Sequence, residues 1–152
     1  MVREAQGHAG WHVLNTLPQF GPVRVAQLIA ILRTPWRFRS KRSLWAYAGL
    51  AVTTSTSAEY VLEHGRPTRR RRAPLTRGLN RNHHPVLKQI FKGAASGATA
   101  RPGPLQDFFL ALLERGVRPE LARLTLARKL AALALRIWKT GEPCDPIPNH
   151  RG

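Results

Sequence analysis

The chain has 152 residues, 43% of them hydrophobic, which suits one domain with a real core and excludes a wholly disordered basic tail. Lys and Arg number 25 against 8 Asp and Glu, for a net charge of +17 and an isoelectric point near 11.8, so a polyanionic partner is the first expectation. The one cysteine, Cys144, excludes an internal disulfide and a multi-thiolate metal site, and no window reads as a signal peptide or membrane span, so a reducing cytoplasmic setting is expected.

In chain order, Val13, Leu14 and Leu17, with Trp11 nearby, suggest a first helix ending at Pro18. Val25, Leu28, Ile29 and Leu32 then repeat at helical spacing, with Arg24, Gln27 and Arg33 on the other side. Pro22 stands at the start of this helix, where its missing N–H costs nothing, and Pro35 lies beyond its end. Ser40 reads as the N-cap of a short helix over 41–48, with Leu44 and Tyr47 or Ala48 facing inward and Gly49 ending it.

From 50 to about 82 the periodicity fades into Thr, Ser, Arg, Gly and Pro, which predicts a long basic loop with at most a short strand or helix around Tyr60, Val61 and Leu62. Helical order resumes at Pro85 through Val86, Leu87, Ile90, Phe91 and Ala94, and another apolar face follows Pro104 with Leu105, Phe108, Phe109, Leu112 and Leu113. In the last helix, about 119–139, an apolar arc of about 200° stands opposite Arg128, Lys129, Arg136 and Lys139. So wide an arc predicts a central packing helix. Arg123 falls inside it and must either snorkel or pair with an acid such as Glu120. Gly141 and Pro143 end the helix. The fold class is therefore all-α: a helical bundle with an N-terminal helix-hairpin-helix (about 10–33), a basic loop (about 50–82) and a helical C-terminal part (about 84–140) in a single domain.

The hairpin reading rests on Leu17-Pro18-Gln19-Phe20-Gly21-Pro22-Val23-Arg24. In a helix-hairpin-helix the amides after such a turn and at the following helix N-terminus face one backbone phosphate, and binding is independent of sequence. Gln19, Phe20, Gly21, Val23 and Arg24 are the candidates here, although an ordinary helix–helix corner uses the same residue types. The charge adds a second footprint: residues 33–101 carry fifteen Lys or Arg against Glu59 and Glu63 alone. Arg69, Arg70, Arg71 and Arg72, with Arg77, Arg81 and Lys88, are candidate nucleic-acid contacts, with the charge alone not saying which nucleic acid. His64, His83 and His84 lack the Cys or carboxylate partners of a metal site, and phosphate contact or solvent exposure is expected of them. The four Trp lie on or beside apolar helical faces and are expected in the core.

Several blocks occur in one order: Leu17-Pro18-x-x-Gly21-Pro22, then Trp36-Arg37-Phe38-x-Ser40-x-x-x-Leu44-x-Ala46-Tyr47-Ala48-Gly49-Leu50. Arg77-Gly78-Leu79-Asn80-Arg81-Asn82 precedes Leu87-Lys88-x-x-Phe91-Lys92-x-Ala94-Ala95, and Ala127-Arg128-Lys129-Leu130 precedes Trp138-Lys139-x-Gly141-Glu142-Pro143. Over about 10–146 this ordered set resembles the C-terminal domain of insertion-sequence-110 family transposases. The resemblance implies DNA transposition and recombination, with a serine of this domain as nucleophile on DNA. It also implies an acidic, metal-bearing domain elsewhere, oligomers, and a structured non-coding guide RNA.

By the family's spacing after Gly49-Leu50-Ala51-Val52, the implied serine is Ser57, with Ser55 two residues away. The family's proline and glycine beside it are Val52 and Ala58 here, and its turn glycine is Gln19. If position 19 needs φ > 0, the hairpin is strained or altered. A serine hydroxyl needs activation and charge stabilisation to attack a phosphodiester. Arg residues can supply the second, but Glu59 and Glu63 are the only acids between Ala5 and Gln106, so no local carboxylate cluster for Mg2+ can be assembled. No cofactor is expected within this chain, Mg2+ belongs with the acidic domain, and autonomous catalysis is not expected. The expected partners are DNA, the guide RNA, and a second copy or an acidic-domain partner, with no membrane. The reading is thus a DNA-binding C-terminal transposase domain, truncated relative to the family, and the alternative is a non-catalytic helix-hairpin-helix module for DNA or structured RNA.

Overall fold

A computed structural model describes residues 2–51, 60–63, 66–69 and 84–144, with the strand segments described in their backbone. Helix α1 (Val2–Gln6) and the single turn α2 (Trp11–Leu14) precede α3 (Pro22–Leu32). A 3-10 turn (Pro35–Arg37) leads to α4 (Lys41–Tyr47), and the chain is completed by α5 (Pro85–Thr99), α6 (Pro104–Glu114) and α7 (Pro119–Thr140). Between α4 and α5 lies a two-stranded antiparallel ribbon, β1 (Tyr60–Glu63) and β2 (Arg66–Arg69), with Tyr60 opposite Arg69 and Leu62 opposite Pro67.

This ribbon revises the expectation of a loop over 50–82. Its first strand falls on the segment around Tyr60, but Arg66-Pro67-Thr68-Arg69 shows no apolar alternation to announce a strand. Pro67 is tolerated because both strands of an isolated ribbon are edges.

Helix α7 is the axis of the bundle, and α5, α6, α4 and α2 all pack on it. Its buried side chains, among them Leu126, Leu130, Ala134, Ile137 and Trp138, come from the apolar arc of the sequence. Gly141, at φ 71°, closes the helix with its N–H on the Ile137 carbonyl. Arg123 is exposed and lies over the Phe109 ring at 5.9 Å, so it is neither inside the core nor paired with Glu120. All four apolar positions expected to face inward on α3 are buried, and Pro22 is its first residue. The first helix is shorter than expected: α2 ends at Leu14, and Leu17 reaches the core from the turn that follows.

Local chemistry fixes the junctions. Ser40 and Ser43 form a reciprocal capping box at the start of α4. Thr34 caps the 3-10 turn through the Trp36 N–H, and Arg37 Nη1 donates to the Ile31 carbonyl at the end of α3 (3.2 Å). His84, half-buried, caps α5, its Nδ1 accepting from the Leu87 N–H, so its ring is more than a plain solvent-exposed side chain. The His84 N–H donates in turn to the Tyr47 carbonyl at 2.7 Å. The chain therefore leaves the bundle at the end of α4 and re-enters it beside the same turn.

Candidate nucleic-acid interface

The segment between α2 and α3 is built on Leu17, buried, and Phe20, whose ring packs on Phe91 of α5 with centroids 5.8 Å apart. The Phe20 N–H is held by the Leu17 carbonyl. Side chain and amide of Phe20 are thus both engaged by the protein itself. Gln19, between these anchors, adopts φ 68°, the left-handed conformation that glycine adopts without strain.

Two clasps hold Gln19 there. Arg24 Nη1, one turn into α3, donates to the Gln19 carbonyl at 2.7 Å. The Gln19 side chain lies so close to Gly97 that a Cβ at 97 would come within 2.7 Å of its Oε1. Arg24 rests in the same way against Gly93, at 3.2 Å from the place a Cβ would occupy. Gly93 and Gly97, one helical turn apart, form the bare strip of α5 on which the turn sits. Sequence reasoning missed this seat, although two glycines spaced by four inside a helical pattern are its signal, since each costs about 1 kcal/mol of helix propensity and needs a packing reason.

Beyond the clasps the turn opens to solvent. Gly21, Pro22 and Val23 are exposed, Val23 by 58%. Gly21 has an ordinary φ of −80° and a Cβ there would meet nothing within 4 Å, so neither strain nor crowding by the protein requires a glycine. No side chain caps α3, and its first turn carries no acid. The first N–H groups of the helix therefore face outward without an intrahelical acceptor.

The structure brings Gln19, Phe20, Gly21, Val23 and Arg24 together in this one turn. Lys88 is half-buried in the first turn of α5. Arg69 is the last residue of β2. Arg70, Arg71, Arg72, Arg77, Arg81 and Ser57, with Ser55, His64 and His83, lie outside the described residues.

The electrostatics are one-sided. Outside the ribbon, no Lys or Arg of the described residues is paired with a carboxylate. Several of the cations rest on carbonyls and aromatic rings, as Arg37 does on the Tyr47 ring at 5.2 Å and Arg128 on Trp45 at 4.1 Å. Among the described residues no three His, Cys, Asp or Glu gather to hold a metal ion. No helix among them is long and apolar enough to cross a membrane. Of the four Trp, Trp11 and Trp138 are buried and Trp45 is half-buried, but Trp36 is 72% exposed. The core expectation fails for Trp36 because the 3-10 turn buries Pro35 and turns the next side chain outward.

Residues 11–100 match the family described as "Transposase IS116/IS110/IS902 family". Over 136 residues the chain is 28% identical to "Insertion element IS116 uncharacterized 44.8 kDa protein" of Streptomyces clavuligerus, covering 90% of this chain and 31% of that protein. The chain thus spans about a third of the length of that curated relative. A match running from α2 through the turn, α4 and α5 covers more than half of the chain, and the chain belongs to the Transposase IS116/IS110/IS902 family.

Proposed function

We propose that this chain is the DNA-holding, C-terminal helical part of an insertion-sequence transposase, in which the turn before α3 receives a backbone phosphate of duplex DNA. The observation that carries the reading is the bare edge at Gly21, Pro22 and Val23: an uncapped helix start, free of acids, on a protein of net charge +17. A helix N-terminus of this kind offers N–H donors and a positive dipole end to an anion. Arg24 and Gln19 set the position of the edge through their mutual hydrogen bond, and Gly21 lets the phosphate approach the backbone. Phe20 serves as the buried anchor, and Lys88 with the Arg69–Arg72 run, Arg77 and Arg81 adds further backbone contacts.

Ser57 is the nucleophile in this reading. The rest of its chemistry comes from an acidic-domain partner, since the described residues offer no carboxylate cluster. Self-assembly and a structured guide RNA belong to the same reading. It derives support from the family match and from the placement of the loop, whose two ends meet at Tyr47 and His84 on the bundle.

Val23→Glu tests the turn. A carboxylate in the first turn of α3 favours the helix by about 0.3–1 kcal/mol but repels a phosphate at the same place. The expected result is a melting temperature that is unchanged or raised, with duplex affinity lowered about tenfold; unaltered affinity would remove the turn from the interface. For Ser57, a covalent adduct is sought on nicked element-end DNA with Mg2+ and an acidic-domain partner. An adduct that disappears in Ser57→Ala is expected. An adduct that persists in that variant would assign the chemistry to another residue, and tight binding with no adduct in any combination would leave a non-catalytic module.

A further inference from the structure

A second basic surface lies between α4, α6 and the outward face of α7. It is a groove of about 600 Å3 walled by Arg39, Lys41, Arg128, Lys129, Arg136 and Lys139, with no carboxylate in its lining. The four cations from α7 share one face of that helix and span roughly 16 Å at 1.5 Å per residue. That matches about five nucleotides of a stacked strand at 3.4 Å each.

None of these six charges is neutralised by an acid. Four are held on aromatic faces: Arg128 and Lys41 over Trp45, at 4.1 and 5.5 Å, Lys129 over Phe108 at 4.7 Å, and Lys139 over Trp36 at 5.5 Å. A ring face orients a cation without cancelling its charge. Arg128 is pinned in this way while its buried Nε has no hydrogen-bond partner. Lys139 also donates to the Phe38 carbonyl at 2.5 Å, which fixes the end of the groove next to Trp36.

Trp36 is the other unexplained group. Its indole is 72% exposed, yet the 3-10 turn that carries it is fixed by the Thr34 cap and by Arg37 on the end of α3. A rigidly mounted, solvent-facing indole at the end of a cationic groove is the arrangement that binds single strands: phosphates follow the charges and an unpaired base stacks on the ring. A duplex, whose bases are already stacked, has no unpaired base to place on the indole and so lacks the contact that would seat it in this groove.

We infer that this groove binds a single-stranded DNA segment, separately from the duplex contact at the turn before α3. The choice of DNA rests on the transposase reading, since strand exchange exposes unpaired DNA beside the duplex.

The test measures fluorescence anisotropy of labelled oligo-dT, oligo-U and a duplex with the full chain, as wild type, Trp36→Ala, Trp36→Phe, Arg136→Glu and Val23→Glu. Trp36 and Arg136 are exposed, so their replacement leaves the core intact, which circular dichroism checks. Trp36→Ala and Arg136→Glu are expected to weaken oligo-dT about tenfold with duplex affinity held within about twofold. Trp36→Phe should keep most of the affinity, and Val23→Glu should weaken the duplex alone. Oligo-dT affinity that ignores Trp36 overturns the groove, as does a parallel loss of duplex and single strand. Tighter binding of oligo-U with the same Trp36 dependence overturns the assignment to DNA. Duplex binding that resists Val23→Glu counts against the proposed function and leaves the groove to stand on its Trp36 dependence.

Discussion

At the scale of single residues, position 19 shows how a departure in sequence becomes a property of the fold. Gln19 sits at φ 68°, where an L-residue pays roughly 1–2 kcal/mol, and it is held there by Arg24 on its carbonyl and by the bare strip at Gly93 and Gly97. Gln19→Val adds a branch at Cβ that the left-handed region tolerates worst, and it also removes the side chain that lies on Gly97. A loss of about 1–2 kcal/mol is expected, a few degrees of melting temperature for a chain of this size. Gln19→Gly is expected to be at least as stable as wild type, because glycine adopts this φ without strain. Equal stability of the Val and Gly variants, measured by thermal unfolding, would show that the strain is absent. The glycine that the family has at this position raised φ > 0 as a condition for the hairpin; the clasps were not legible, because one is an arginine folding back on its own turn and the other seats residues 19 and 24 on a helix some seventy positions away.

At the scale of elements, the legible features were those set by local chemistry. The inward positions of α3, the central role of α7, Pro22 at a helix start and Ser40 as a cap all follow from periodicity and capping within a few residues. What could not be read was decided by packing across the chain. Arg24 was placed on the polar side of α3 and folds back onto its own turn, His84 became a cap, and Trp36 was lifted out of the core by a 3-10 turn. The ribbon was half visible, since only β1 has the composition of a strand. Among the candidate residues, the five around the turn stand together in the sequence itself, but the sequence could not tell that the Phe20 side chain is buried against Phe91. The α4 cap gives the test at this scale. Ser40 Oγ accepts from the Ser43 N–H at 3.4 Å and Ser43 Oγ accepts from the Ser40 N–H, so Ser40→Ala leaves the Ser43 N–H without its acceptor while the Ser40 N–H keeps its own. A destabilisation of about 1 kcal/mol is expected in chemical denaturation, with an unchanged slope. A neutral result would mean that water caps α4 as well as serine does.

At the scale of the whole molecule, charge sets folding and binding against each other. With 25 basic and 8 acidic residues, and with no Lys or Arg outside the ribbon paired to a carboxylate among the described residues, the folded state gathers like charges that the unfolded chain keeps apart. The core must outweigh this repulsion, and added salt relieves it, because the Debye length shrinks from about 30 Å at 0.01 M to about 10 Å at 0.1 M. Salt acts on DNA binding in the other direction: each neutralised phosphate releases counterions, and log K falls with log salt by about 0.9 per contact. Raising salt over this range is therefore expected to raise the melting temperature of the free chain while it weakens duplex binding steeply. Arg136→Glu should reduce the slope for single-stranded DNA by about 1 or more and leave the duplex slope alone, whereas replacing Arg69 to Arg72 with Ala should weaken all duplex sequences alike. Thermal unfolding and anisotropy across one salt series measure both trends. If duplex affinity stayed flat while the fold became more stable, the charge would serve something other than phosphate, because no arrangement of backbone contacts escapes counterion release.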